Sequence, residues 1–203
     1  ARLRQGITTL VVGNCGLGCA PVVPSDMAEL RRLCGFIAPD GVEWSWGSVA
    51  DYLDRLGEQG VIPNVAALVA HGPARAAAMG ARAGRPTREE QKRMDDEVRG
   101  AIEAGAFGVS FGLIYPPGQF ADTDELVSVA AAARDAGGFA AFHQRGSSLE
   151  TLEPAVREIL EVGRRARAEV HHSHVETVGP RAWSGTAEVL RLHDSAWRNG
   201  VAL

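Results

Sequence analysis

The chain has 203 residues, 45% of them apolar and 23% charged, with a formal net charge of -4. That length holds one sizeable core and is short for two domains, and the mild acidity gives no footing for nucleic acid or an anionic membrane surface as a partner. No apolar stretch approaches the ~20 residues of a membrane span, and three cysteines make no disulfide framework, so a reducing, cytoplasmic setting is expected.

The chain opens "ARLRQGITTL", with no Met and almost directly in an apolar run, and stops "RNGVAL" as another strand begins. This predicts a single partial domain over residues 1–203, cut at both ends, with room for a signal peptide upstream. The first strand is expected at Ile7–Val12, and helices at Asp26–Leu33 and Ser48–Leu56. Between these helices "RRLCGFIAPDGVEWSWGS" (31–48) reads as a long loop over a barrel mouth, with Trp44 and Trp46 available to shield a pocket. A strand at Asn64–Val69 and a helix at Ala74–Met79 follow. "TREE" (Thr87–Glu90) is a capping box opening a helix to about Ala104. A strand at Ala106–Ser110 precedes "DTDE" (Asp122–Glu125), which opens a helix stopped by Gly137-Gly138. A strand at Phe139–Phe142 precedes "SSLE" (Ser147–Glu150), which opens a helix to about Ala166. The last elements are a strand at Glu169–His172, a helix at Ser184–Arg198 and the start of a strand at Val201.

These strands are short, apolar on both faces and bounded by glycine, as buried parallel strands should be. Alternation of β and α is the rhythm of a (β/α) barrel or a doubly wound sheet. A whole barrel needs ~250 residues, so five strands and a sixth beginning fit a barrel without its ends.

In parallel α/β folds the chemistry gathers at the carboxyl ends of the strands. Cys15 follows the first strand and His71 the second. Ser110 and then Tyr115 follow the third, His143 the fourth, and His171, His172 and His174 the fifth; only His193 lies in a helix. Singly, each has a plain structural role. Cys15 fits a small buried hydrophobe and His71 a hydrogen-bonded turn. Jointly, a thiol and imidazoles on one rim suit a borderline-soft metal such as zinc. "HHSH" also fits a polar strand end; by alternation His172 and His174 share one strand face. "GNCGLG" has the composition of a phosphate-binding turn but lacks a helix start and a basic partner.

The segments "GITTLVVGNCGLGCAP" (6–21), "NVAALVAHGPAR" (64–75), "GAFGVSFGLIYPPGQFADTDEL" (105–126), "FHQR" (142–145) and "SHVETVG" (173–179) together resemble the D-aminoacylase (N-acyl-D-amino-acid deacylase) family of the amidohydrolase superfamily. The resemblance covers essentially the whole chain. It implies a partial TIM-type (β/α)8 barrel of the metal-dependent hydrolase kind, about strands 2–6 and the start of 7. It also implies one or two zinc ions, a small-molecule N-acyl substrate and hydrolysis of a carbon–nitrogen bond. By position it makes Cys15, His143 and His174 metal ligands. Tyr115, Arg145, Glu176 and His71 then line the substrate, Arg145 as a carboxylate binder. The family's HxH pair and its general-base aspartate have no counterpart in this chain.

Two positions depart from the family pattern. Glu176 stands where the family carries a lysine that pairs with the substrate carboxylate. Like charges at that range cost ~1–4 kcal/mol in a partly wet site, so a neutral or amine-bearing N-acyl compound, or a small peptide, is expected. Phe142 and Gln144 replace common Thr and Met, altering the wall beside His143. The competing readings are an amidohydrolase acting on another, for example cyclic, amide; a catalytically inactive barrel with a binding role; and a phosphate- or flavin-binding barrel.

Overall fold

The computed structural model describes residues 2–22, 27–37, 41–80 and 82–203. Its five strands are β1 (Thr9–Val12), β2 (Asn64–Ala70), β3 (Gly108–Gly112), β4 (Phe139–His143) and β5 (Val170–His172). They pair in sequence order, every pair parallel. Among the described residues the α-helices are α1 (Met27–Cys34), α2 (Val49–Gln59), α3 (His71–Met79), α4 (Arg88–Glu103), α5 (Thr123–Asp135), α6 (Leu152–Ala166) and α7 (Thr186–Arg198). Two helices lie between β2 and β3, strand and helix alternate singly from β3 onward, and the sheet forms half of a TIM-type barrel.

Strand β3 is buried at every position, and β4 at all but its first. Such strands carry no alternation because both faces are covered. Phe111 and Phe142 are register partners and stack with ring centroids 4.5 Å apart. Each contributes about 1.5–3 kcal/mol by burial. Helix α4 turns Met94, Val98, Ala101 and Ile102 inward and leaves a charged outer face, the stripe that a 3.6-residue period predicts. Helix α5 buries Leu126 and Val129 together with Ala130 and Ala133, whose small side chains let it lie close to the strands.

The helix starts show where local signals prevail. At "TREE" the Thr87 hydroxyl accepts from the Glu90 amide (3.2 Å) and the Glu90 carboxylate from the Thr87 amide (2.7 Å). A second box at Ser48 and Asp51 opens α2. Asp122 caps α5 by accepting from the Glu125 amide at 2.9 Å. At "SSLE" the structure differs: α6 begins at Leu152, and Ser147 hydrogen-bonds into the next loop instead. The expected loop over 31–48 is also partly helical. Helix α1 runs to Cys34, followed by a 3-10 turn at Gly35–Ile37; the expected helix start at Asp26, residues 38–40 and the Cys34 side chain lie outside what is described. Trp44 and Trp46 stack on each other, and Trp44 is buried against Val22 and Leu30. The indoles thus pin the loop base. At the other end Val201 lies in no strand, although the Ala202 carbonyl accepts from the Val170 amide at 2.9 Å. Among the described residues no helix is long and apolar enough to cross a membrane.

Candidate metal centre

Beyond β1 the chain turns sharply through "GNCG". Cys15 sits at φ 59°, in the left-handed region, where non-glycine residues are uncommon and worth explaining. The turn is clamped by Ser110 of β3, whose hydroxyl donates to the Gly13 carbonyl and accepts from the Gly16 amide at 3.1 Å. Main chain then packs on main chain: a β-carbon on Gly112 would lie 1.9 Å from the Cys15 carbonyl oxygen, and one on Gly16 would lie 2.3 Å from the Gly112 nitrogen. Further along, the Trp46 indole donates to the Cys19 carbonyl at 2.6 Å. The glycines on either side of Asn14-Cys15 are therefore the product of a turn with no room for side chains at positions 13 and 16.

His143 closes β4. Its register partner is Gly112, so its ring projects on the face against which the Cys15 turn packs. His174 follows β5, which ends at His172. The expected shared face of His172 and His174 is lost because His174 has turned to φ 31°. Ser173 fixes that turn by donating its amide to the Phe142 carbonyl at 2.9 Å.

The three side chains converge. Cys15 Sγ is 3.4 Å from His174 Nε2, which is 2.9 Å from His143 Nδ1, and all three donor atoms lie within 4.8 Å of one another. A tetrahedral zinc ion separates a sulfur and a nitrogen donor by about 3.6 Å and two nitrogens by about 3.3 Å, given its usual bond lengths. Both the spacing and the mixed sulfur–nitrogen chemistry fit such an ion. Tyr115 stands beside the cluster, its ring centroid 5.0 Å from that of His143.

The electrostatics follow from burial and from Glu176. Burial pushes the Cys15 thiol up, and the Glu176 carboxylate adds to the rise. Burial lowers His143, and the charge of His174 assists, against the pull of Glu176. His143 is thereby favoured in its neutral, ligating form. The Tyr115 phenol is raised by burial, Cys15 and Glu176. Glu176 is itself exposed, its carboxylate 3.4 Å from the Ser147 hydroxyl.

Two expected substrate contacts are otherwise engaged. The His71 side chain is fully buried at the start of α3, where its Nε2 lies 2.8 Å from Glu125 Oε1. Arg75 Nε donates to the same oxygen at 2.9 Å, so the group is a structural ion cluster with no surface left for a ligand. Burial pushes Glu125 up, but His71 and Arg75 outweigh it and hold the carboxyl below its usual range. Arg145 grips Glu158 through Nε and Nη2 (2.8 and 3.0 Å) and donates to the carbonyls of Gln119 and Ala121. Four of the five N–H donors of its guanidinium are thereby engaged within the protein.

Sequence reasoning missed the polar layer behind the ligands. Gln144, fully buried, donates to the Glu176 carbonyl (3.0 Å) and the Ser147 hydroxyl (2.8 Å). His172 meets its carbonyl oxygen at 2.9 Å, and His193 of α7 meets His172 at 2.9 Å. No spacing along the chain signals such partners.

No family model matches the chain. It is 38% identical over 201 residues to N-acyl-D-glutamate deacylase of Alcaligenes xylosoxydans xylosoxydans, which covers 98% of the chain and 40% of that protein. Identity to D-aminoacylase of the same organism is 32% over 203 residues, all of this chain and 41% of that one. Among solved structures, N-acyl-D-glutamate deacylase from Bordetella bronchiseptica, complexed with zinc and a phosphonate mimic of the tetrahedral intermediate, superposes with a TM-score of 0.88 at 36% identity. That match covers 98% of this chain and 41% of the other. A D-aminoacylase structure with a binuclear metal centre gives 0.84 at 30% identity, over 97% of this chain and 40% of that one. The chain thus spans about two fifths of the length of these relatives.

Proposed function

Because this chain belongs to the D-aminoacylase (N-acyl-D-amino-acid deacylase) family of the amidohydrolase superfamily, we propose that it carries the cysteine–histidine rim of a zinc-dependent hydrolase. The bond cleaved is the amide of an N-acyl-D-amino acid or a related N-acyl compound. The observation that carries the proposal is the convergence of Cys15, His143 and His174.

Those three residues would hold the ion through Sγ, Nδ1 and Nε2. Zinc, when bound, supplies a Lewis acid that lowers the pKa of a water and polarises the acyl carbonyl. The chain's own part is positional. Cys15 and His174 are held in left-handed backbone, so their donors are set before the ion arrives. Neutral His143 presents a lone pair without first losing a proton. Tyr115 walls one side of the substrate and Glu176 another.

Glu176 favours a narrower reading of the substrate. Its charge reaches Cys15, His143 and Tyr115, so the group bound beside it is neutral or carries an amine rather than a carboxylate. An amidohydrolase acting on a different amide is the second reading, and the same observation motivates it.

The test is zinc content and hydrolysis by the full-length protein, alongside Cys15→Ala. Near-stoichiometric zinc that falls in the variant, with turnover of N-acyl-D-amino acids bearing neutral or amine side chains, supports the proposal. Zinc with no turnover of any N-acyl-amino acid moves the assignment to another amide. Absence of zinc from the parent overturns it.

A further inference from the structure

We infer that His193 is a positioning residue for the metal centre, acting through His172 and Gln144 on the turn that carries His174 and Glu176. The inference rests on the reading of that centre given above. His193 lies in α7 and touches none of the three donors. A line of hydrogen bonds joins it to the main chain at Glu176, two residues beyond His174.

The line has a direction. The Gln144 amide nitrogen lies 3.0 Å from the Glu176 carbonyl, which can only accept, so the orientation of the amide is fixed. Its oxygen therefore faces His172 Nε2 at 2.9 Å, and that nitrogen must donate. His172 is then left with Nδ1 as its acceptor, and His193 Nε2 lies 2.9 Å from it. The other nitrogen of His193 lies 2.7 Å from the Val189 carbonyl within α7, which also accepts, so His193 bonds both partners as the doubly protonated ring. The two imidazoles also stack, with centroids 5.1 Å apart. Donation from His193 thus fixes the tautomer of His172, which secures Gln144, which holds the main chain at Glu176.

That main chain needs holding. His174 at φ 31° occupies backbone that its surroundings must impose. The main-chain restraints on its turn include the Gln144 bond, the Ser173 amide on Phe142 and the Val178 amide on the Ser147 carbonyl at 2.8 Å; the side chains of Glu176 and Thr177 add longer bonds to Ser147 and Thr186, at 3.4 and 3.3 Å. Freed at Glu176, the turn relaxes and carries His174 Nε2 away from Cys15 and His143.

The experiment compares the full-length protein with His193→Leu and His193→Gln. Leucine keeps bulk and removes the donor; the glutamine amide restores an N–H toward His172. Zinc affinity is read by competition with a chelator, and exchange of the 174–178 amides by mass spectrometry on the metal-free protein. Partners behind a ligand typically set metal affinity by 10–100-fold. We expect His193→Leu to bind zinc about tenfold more weakly and exchange faster at 174–178, and His193→Gln to stay within about threefold of the parent. Unchanged affinity and exchange in His193→Leu overturn the inference, as does a glutamine variant as weak as the leucine one. Should His193→Leu not fold, Gln144→Met removes the same bond one step along, and parent-like exchange there overturns the inference equally. A parent without zinc is a failure of the metal reading; the exchange comparison still decides the role of His193.

Discussion

Gly112 and Cys15 share one space: the carbonyl of the cysteine lies where a side chain on the glycine would begin, 1.9 Å from a built β-carbon. Backbone on both sides leaves nothing flexible to yield. Gly112→Ala is expected to cost about 3 kcal/mol through overpacking and to displace Cys15 from His143 and His174. Chemical denaturation gives the first effect, and loss of bound zinc the second. A variant of unchanged stability would mean the turn has slack.

The His71–Arg75–Glu125 cluster should govern acid stability. All three side chains are fully buried, and Glu125 is held below the 4.5 of an ordinary glutamate. A lowered carboxyl contributes stability that is complete above the unfolded value and fades as pH falls through the folded one. The loss therefore sits below 4.5. Glu125→Gln leaves Arg75 buried without its counter-charge and should cost about 3–5 kcal/mol at neutral pH. Its stability should also lose that acid-dependent share. Denaturant melts across the acid range check both.

Glu176→Gln should lower the pKa of the Cys15 thiol in the metal-free protein, because the carboxylate is one of the two causes raising it. The thiolate fraction at a given pH then increases. A titration of thiolate absorbance in the ultraviolet, with Cys15→Ala as the blank, shows the direction of the shift. A curve identical to the parent's would place the Glu176 charge beyond the reach of Cys15.

Arg145→Ala should behave as a stability variant. The Arg145–Glu158 pair is partly exposed, 31% and 17% at the side chains, so screening limits its net worth to about 1 kcal/mol. The lost bonds to Gln119 and Ala121 add to that. With the guanidinium already committed, KM for an N-acyl substrate should be unaltered. A large rise in KM at constant stability would return Arg145 to the substrate.

The fold was legible because its signals are local or periodic. Apolar runs marked β1, β2, β3 and β4, whereas β5 carries Val170 alone as its apolar residue, and "TREE" carried its own cap. "SSLE" has the same pattern and failed because Ser147 found a tertiary partner in Glu176 and Gln144. The strand ends that carry Cys15 and His143 were legible, since parallel strands bring such ends to one rim. The backbone turn that aims His174 was not, nor was the engagement of His71 and Arg145, whose partners Glu125 and Glu158 lie on other helices. The links that Gln144 and His193 make to His172 were invisible for the same reason. A hydrogen bond between residues far apart in the chain leaves no period to detect.

The stacked Trp44–Trp46 pair makes the loop after Cys15 optically addressable. Trp183 and Trp197 are 63% and 65% exposed, whereas Trp44 is 9% exposed and Trp46 is tied to Cys19. An aqueous quencher such as iodide extinguishes the emission of the exposed pair first and spares the buried one. The residual fluorescence then belongs to the indoles that hold the cysteine loop. Its change on titration with zinc follows occupancy of the site in solution, without label or substrate.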